Sequence, residues 1–470
     1  MREVNPLTSA TSTKPVRHIG VFDATMLVMG GIVGGGIFVN PSVVAGIVHT
    51  PGLILGAWAV GGVIALAGAF VYAELASRLP AAGGHYAYMR EAFHPAVAFM
   101  FGWAVLLVVQ TGGIAATAVA FARYFRGIVP MPVSDSVVAV VALALITGIN
   151  CAGLRAGNTA QRTFMLLKIA AIVSIVGCGI VAFLHGGMRG PVGAPPLVLG
   201  TTTGGVAGTS SWSGGVYALL AALTPVMFAY GGWQTASFVA AELKHPARDL
   251  SRAMVYGVLG VVALYLSINA VCLLTLGANG LAATKTPAAQ VVDLIVGGAG
   301  GKILSTFVAI STFGFLAQSL FTVPRLYQVM AADGLFFKRV AYISPKTHVP
   351  TTAILLQGVF AAALAAAGTY EAIMSYVIAV DFLFYGLAAL ALFLFYKRHV
   401  GAPSYSVPGH PWTTLFFMIA SWGVVAATIT HDPRHALTGI VALCLGLPAY
   451  FVWRRVVTQN AAGVVTEPAV

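Results

Sequence analysis

The chain alternates between long apolar runs and short polar stretches. Crossing a bilayer as a helix takes about 20 mostly apolar residues. By that measure twelve segments qualify: 21–46, 53–77, 96–124, 134–151, 161–184, 215–241, 253–276, 303–328, 351–368, 372–396, 412–430 and 436–453. The pattern predicts an all-α integral membrane protein with 12 transmembrane helices. Residues 186–214, rich in Gly, Pro, Thr and Ser, form the longest connection on their side and read as the joint between two five-helix halves.

An even number of crossings puts both termini on one side, and the basic residues select which. Of the 25 Lys+Arg residues, 18 fall in the tails and in loops on the N-terminal side, and six fall on the other side. The last, Lys168, lies inside the fifth segment. Positive residues accumulate on the cytoplasmic side, so a cell-membrane, multi-pass protein with both termini cytoplasmic is expected. The polar first 20 residues, with Lys14, Arg17 and His18, read as a cytoplasmic tail and not a leader.

Composition removes the soluble alternatives. Hydrophobic residues make up 59% of the 470 and charged residues 8%, against about a quarter charged in soluble domains. That much apolar surface must face lipid. The net charge of +12 would suggest nucleic acid in a soluble protein, but here it follows from the loops, so no nucleic-acid partner is expected. The four cysteines, Cys151, Cys178, Cys272 and Cys444, lie in or beside apolar segments and form no CxxC. They read as small hydrophobes in helix packing, with no disulfide framework and no metal site.

Two apolar segments carry glycine clusters near their middles. The first reads Met29-Gly30-Gly31-Ile32-Val33-Gly34-Gly35-Gly36-Ile37-Phe38, and the sixth reads Phe228-Ala229-Tyr230-Gly231-Gly232-Trp233. Each glycine weakens a helix by about 1 kcal/mol relative to alanine. Unwound backbone at membrane depth survives only where it lines a cavity or is buried in protein. Interrupted segments at matching positions of two halves point to a transporter's binding site, whereas close helix packing through small residues is the structural alternative. Freed N–H groups and a half-helix N-terminus attract a carboxylate, and freed carbonyls accept from an ammonium. A zwitterionic α-amino acid supplies both. Neither break carries an ionisable side chain, so neutral substrate side chains fit better.

With these residues in view, the sequence resembles the amino acid–polyamine–organocation (APC) superfamily, close to its L-type amino acid transporter and prokaryotic relatives. GGGIF at Gly34 to Phe38 resembles that family's usual GSGIF, with Gly35 in place of the serine and its hydroxyl contact. The likeness extends through YAELASRLPAAGGHYAY (Tyr72 to Tyr88), FAYGGWQ (Phe228 to Gln234), the run ending AELKHPARDLSRA at Ala253, PRLYQVMAADG (Pro324 to Gly334) and, more weakly, YSVPGHP (Tyr405 to Pro411). The resemblance implies a LeuT-like 5+5 inverted repeat with helices 1 and 6 broken, and alternating access around a midplane site. It divides the chain into a tail at 1–20, a first repeat at 21–184, an external loop at 185–214, a second repeat at 215–396, helices 11 and 12 at 397–455, and a cytoplasmic tail at 456–470. It assigns Ile32, Gly34, Gly35 and Gly36 to the substrate carboxylate and part of the amino group. Phe228 becomes an outer gate, Gly231 part of the side-chain pocket, and Gln234, where some relatives have Asn, a polar contact.

Charges inside the membrane are costly and mark function by default. Lys168 stands about eight residues, or roughly 12 Å, into its segment. The resemblance places its ammonium where sodium binds in ion-coupled cousins, bridging helices 1 and 8. Asp381, near the middle of the tenth segment, either carries a coupling proton or bonds neighbouring helices while protonated. Glu74 and Glu242, at helix ends, read as interfacial salt bridges or caps.

Competing classes lack their motifs. GGAGGKI at Gly297 to Ile303 fails the phosphate-loop pattern, with Val296 at the first glycine position and Ile303 at the Ser/Thr position. No HExxH occurs. The sequence therefore reads as a secondary active transporter (permease) of amino acids, with neutral L-amino acids favoured, and not an enzyme. Sodium-independent exchange and proton-linked uptake both fit. A channel or a transport-like sensor for small zwitterions is the alternative. Expected partners are the amino acid and the lipid bilayer, no cofactor is expected, and nothing in the chain specifies an accessory subunit.

Overall fold

The computed structural model describes residues 20–79, 84–153, 158–184, 212–234, 243–332, 338–347 and 349–464, together with Gly334 and Phe336. The N-terminal tail at 1–19, most of the 185–214 loop, Glu242 and the last six residues lie outside the described residues. Among the described residues the chain is helical, with no strand.

The first predicted span is two helices, α1 (Val21–Ile32) and α2 (Gly36–Val48), bent by 44° at the break between them. α3 (Pro51–Arg78) follows, started by a proline whose missing N–H costs nothing at that position. A short helix, α4 (His85–Ala92), occupies part of a stretch expected to be loop. The third span runs from α5 (Pro95–Ala104) through a π turn (Val105–Val109) into α6 (Gln110–Ile128). α7 (Asp135–Cys151), capped by the Ser134 hydroxyl, α8 (Asn158–Leu184) and α9 (Trp212–Tyr230) come next.

α10 (Pro246–Ala283) is longer than the apolar run foretold and kinks at Gly277. α11 (Pro287–Val296) was not anticipated. The eighth span splits into α12 (Gly298–Thr322) and α13 (Pro324–Ala332) at a proline. α14 (Thr351–Ala367), α15 (Tyr370–Arg398), α16 (Trp412–His431), α17 (Pro433–Cys444) and α18 (Gly446–Val464) complete the chain. Among the described residues eight helices are long and apolar enough to cross a membrane, nine when α1 and α2 count as one. α7 and α14, with 17 residues each, and the Gly214–Tyr230 stretch of α9 are apolar but shorter.

α3 packs along α10, and α15 along α16. An aromatic cluster fills the space between α3, α4, α15 and the end of α9: Tyr72 lies edge-on to His85, Tyr385 and Trp233, with Trp233 stacked on Tyr385 at 5.0 Å. The four cysteines are free.

Glu74 forms the salt bridge its helix-end position suggested, but a buried one. It is 0% exposed and pairs with Arg78, one turn on, at 2.7 Å. Its second oxygen accepts the Val407 N–H at 2.7 Å. Arg78 donates to Val400 O and lies 4.2 Å over the Tyr396 ring. The pair thus straps the 399–411 connection onto the end of α3. Removing one partner of a buried pair leaves an uncompensated charge. We therefore expect Arg78→Ala to lower stability by about 3–5 kcal/mol. The double replacement Glu74→Gln with Arg78→Met should cost much less. Thermal unfolding of detergent-purified protein distinguishes the two.

Candidate functional site

At the first break, Val33 closes α1 by donating to Met29 O, and the Gly34 N–H folds back onto Ile32 O at 2.8 Å. Gly30 O therefore lacks the acceptor role that a continuous helix would give it. Lys168 Nζ donates to that oxygen at 3.4 Å and lies 4.8 Å from the centroid of Phe315. Lys168 so ties α8 to α1 and α12. α2 restarts at Gly36 with no side-chain cap, so its first N–H groups have no helical acceptor and present a partial positive charge.

At the second break α9 ends at Tyr230, and Gly231 donates to Met227 O at 2.9 Å. Gly232 then takes φ +113°, a conformation that favours glycine. A Cβ on Gly232 would stand 2.3 Å from Gly31 O. The two breaks therefore touch through backbone alone. Tyr265 of α10 fastens the junction, its hydroxyl lying 3.3 Å from Ile32 O and 3.2 Å from Ala229 O.

A cavity of about 340 Å³ opens where the breaks meet, a volume typical of small-ligand sites. Ile32, Gly34, Gly35, Gly36, Phe228, Gly231, Gln234 and Asp381 all line it. Lys168 does not, but its partners Gly30 and Phe315 do. Asp381 is the one ionisable side chain among the described lining residues, and Tyr385 is its neighbour on the same helix.

Gly35 and Gly36 meet two demands at once. Both border the cavity, but a Cβ on Gly35 would lie 2.9 Å from the Ala120 side chain, and one on Gly36 would lie 3.2 Å from Ala229 Cα. Helix packing alone thus requires their smallness. Gly34 is freer, since its Cβ would meet nothing nearer than Phe315 at 3.8 Å.

The lining extends along α1 to Leu27 and along α12 to Thr322 and Val323, toward the end of the bundle where the described chain begins. At the other end, side chains from α2, α6, α9 and α15 meet. Phe228 meets Tyr370 edge-on at 6.1 Å, and the Tyr370 hydroxyl donates to Asn40 Oδ1 at 2.8 Å. Asn40 in turn donates to Pro225 O. Arg123 lies 5.1 Å over the Tyr370 ring and 3.3 Å from Glu371, while Arg126 pairs with Asp135 at 2.6 Å.

Sequence reading missed the α6 and α12 wall of the cavity, including Gln110, Gly113, Thr117, Gln318, Ser319 and Thr322. A signal existed: Gln110 and Gln318 are primary amides within apolar runs.

The backbone contact between the breaks yields a direct test. Gly232→Ala should reduce folded yield and melting temperature, since its Cβ and its φ both conflict with the junction. Gly34→Ala should keep both at wild-type values. Size-exclusion profiles and thermal melts of the purified variants would read the difference.

A family model described as "Amino acid permease" matches residues 19–447. The chain is 27% identical over 454 residues to the b(0,+)-type amino acid transporter 1 of Mus musculus, covering 95% of this chain and 90% of that one. It is 28% identical over 448 residues to the serine/threonine exchanger SteT of Bacillus subtilis (strain 168), with 93% and 97% covered. It is also 28% identical over 448 residues to the large neutral amino acids transporter small subunit 2 of Mus musculus, with 93% and 81% covered. These relatives are transporters and exchangers, not enzymes.

Proposed function

Because this chain belongs to the amino acid permease family, a family of multi-pass membrane transporters, we propose that it carries neutral L-amino acids by alternating access around the junction of the two breaks. The observation that carries this reading is the cavity itself. It is bordered by the uncapped start of α2 and by the broken end of α9, with Asp381 its one ionisable side chain among the described lining residues. A helix start suits a carboxylate and freed carbonyls suit an ammonium.

The same reading takes nine long spans together with α7, α9 and α14 as twelve crossings with cytoplasmic termini. It divides them as two inverted repeats, 21–184 and 215–396, followed by 397–455. In that frame the cavity faces the cytoplasm, and the Phe228–Tyr370–Arg123 layer is the closed outer gate. A permanently open channel would not carry such a layer on one side only. Ile32 and Gly34 to Gly36 hold the α-carboxylate and part of the amino group, and Gly231 and Gln234 face the side chain.

Lys168 takes the place of a coupling cation. An ammonium supplies unit charge and three donors, so transport is independent of sodium. In proteoliposomes, uptake of a radiolabelled neutral amino acid should rise when an amino acid is loaded inside and should not change when sodium is replaced. Lys168→Ala should cripple uptake at any sodium concentration. Strict sodium dependence, or wild-type kinetics in that variant, would overturn the assignment. A folded protein that carries no amino acid would overturn the function as a whole.

Asp381 serves as the coupling-proton site in this reading. Asp381→Asn should keep exchange and lose accumulation driven by a pH gradient. A native protein whose accumulation ignores the gradient would leave Asp381 only a structural hydrogen bond.

A further inference from the structure

The α5–α6 span contains one turn that its sequence does not explain. Val105–Val109 form a π turn, although Val-Leu-Leu-Val-Val has neither glycine nor proline to force it. A π turn carries one extra residue, which rotates all later side chains by about 100° around the helix. Of the residues that follow it, Gln110, Gly113, Ile114 and Thr117 line the cavity. Without the extra residue that face of α6 would point elsewhere.

Three side chains hold the turn from outside the cavity. The Thr111 hydroxyl donates to Leu106 O, five residues back, the spacing that a π turn creates. Gln357 of α14 donates through Nε2 to the Thr111 oxygen. Tyr327 of α13 donates to the Gln357 carbonyl oxygen. Thr111, Gln357 and Tyr327 are all fully buried, and none of them borders the cavity. Such a chain fixes geometry, because each member has its partner and neither water nor ligand can reach it. Gln110 differs. It is half-exposed on the cavity wall, and among the described residues nothing hydrogen-bonds its amide.

We propose that Gln110 is a specificity-determining contact for neutral amino acids with hydroxyl or amide side chains, and that the Tyr327–Gln357–Thr111 chain is the positioning device that turns it toward the substrate. This rests on the amino acid permease reading. A carboxamide both donates and accepts, so it matches hydroxyl and amide groups in either sense and gives an aliphatic side chain nothing.

The test is exchange kinetics in proteoliposomes with radiolabelled serine, glutamine and leucine. Gln110→Leu should raise KM for serine and glutamine about tenfold relative to leucine, the scale of one lost hydrogen bond, with maximal rate retained. Gln357→Leu should shift the same two substrates in the same way, although it does not touch the cavity. The double variant should match the single ones, because Gln357 acts through Gln110. Thr111→Ser should behave as wild type, and Thr111→Val should behave as Gln357→Leu. An equal KM shift for all three substrates, or additive effects of Gln110→Leu and Gln357→Leu, would overturn the proposal. Wild-type protein that transports none of the three would overturn the permease reading and the proposal together. Wild-type transport with unchanged selectivity in the variants would overturn the proposal alone.

Discussion

Backbone that leaves the helix inside a bilayer has no water to bond, and every freed group must find a partner within the protein. The contact of Gly232 with the Gly31 carbonyl is where this protein meets that demand. Two interrupted helices approach so closely that no side chain fits between them. Tyr265 then covers one carbonyl from each, and Lys168 takes the Gly30 oxygen. The polar groups left over border the cavity. The site is therefore what remains of the hydrogen-bond accounting once the junction is closed.

The elements around the junction divide into a part that fixes it and a part that closes over it. α10 supplies Tyr265, α8 supplies Lys168, and α12 supplies Phe315 beneath the ammonium. At one end of the bundle, side chains of α2, α6, α9 and α15 meet, with Arg123 sharing itself between Tyr370 and Glu371. Glu371 is half-exposed and Arg123 nearly buried, so salt and solvent screen this pair more than the buried Glu74–Arg78 pair on α3. Edge-on rings and a partly screened ion pair hold these helices less firmly than a buried pair would. Such a buried pair straps the 399–411 connection to α3.

Twelve apolar runs, two glycine clusters and two charges in the wrong medium were legible in the chain, because each is a local departure from what lipid tolerates. The seven residues assigned to the substrate border one cavity, as does Asp381, whereas Lys168 does not. The reason for Gly35 and Gly36 was only half legible. Their neighbours Ala120 and Ala229 come from other spans, and a one-dimensional pattern cannot say whether a missing Cβ admits a ligand or a helix. The salt bridge of Glu74 was legible, with Arg78 one turn on, but its burial was not. Only the fold brings the Val407 N–H, some 330 residues later, onto the second oxygen of that carboxylate.

What the sequence determined by itself is the medium, the helices and the places where they fail, since hydropathy and glycine content act within one or two turns. Tertiary structure decided the rest. The π turn at Val105–Val109 contains no glycine or proline, and Gln357 and Tyr327, from two other helices, complete the bonds of Thr111 beside it. It also decided that Gln110 and Gln318 share a wall with the breaks, and that Lys168 finds a carbonyl on a different helix. Such outcomes depend on which buried polar groups meet across more than a hundred residues of chain, and no local propensity encodes that meeting.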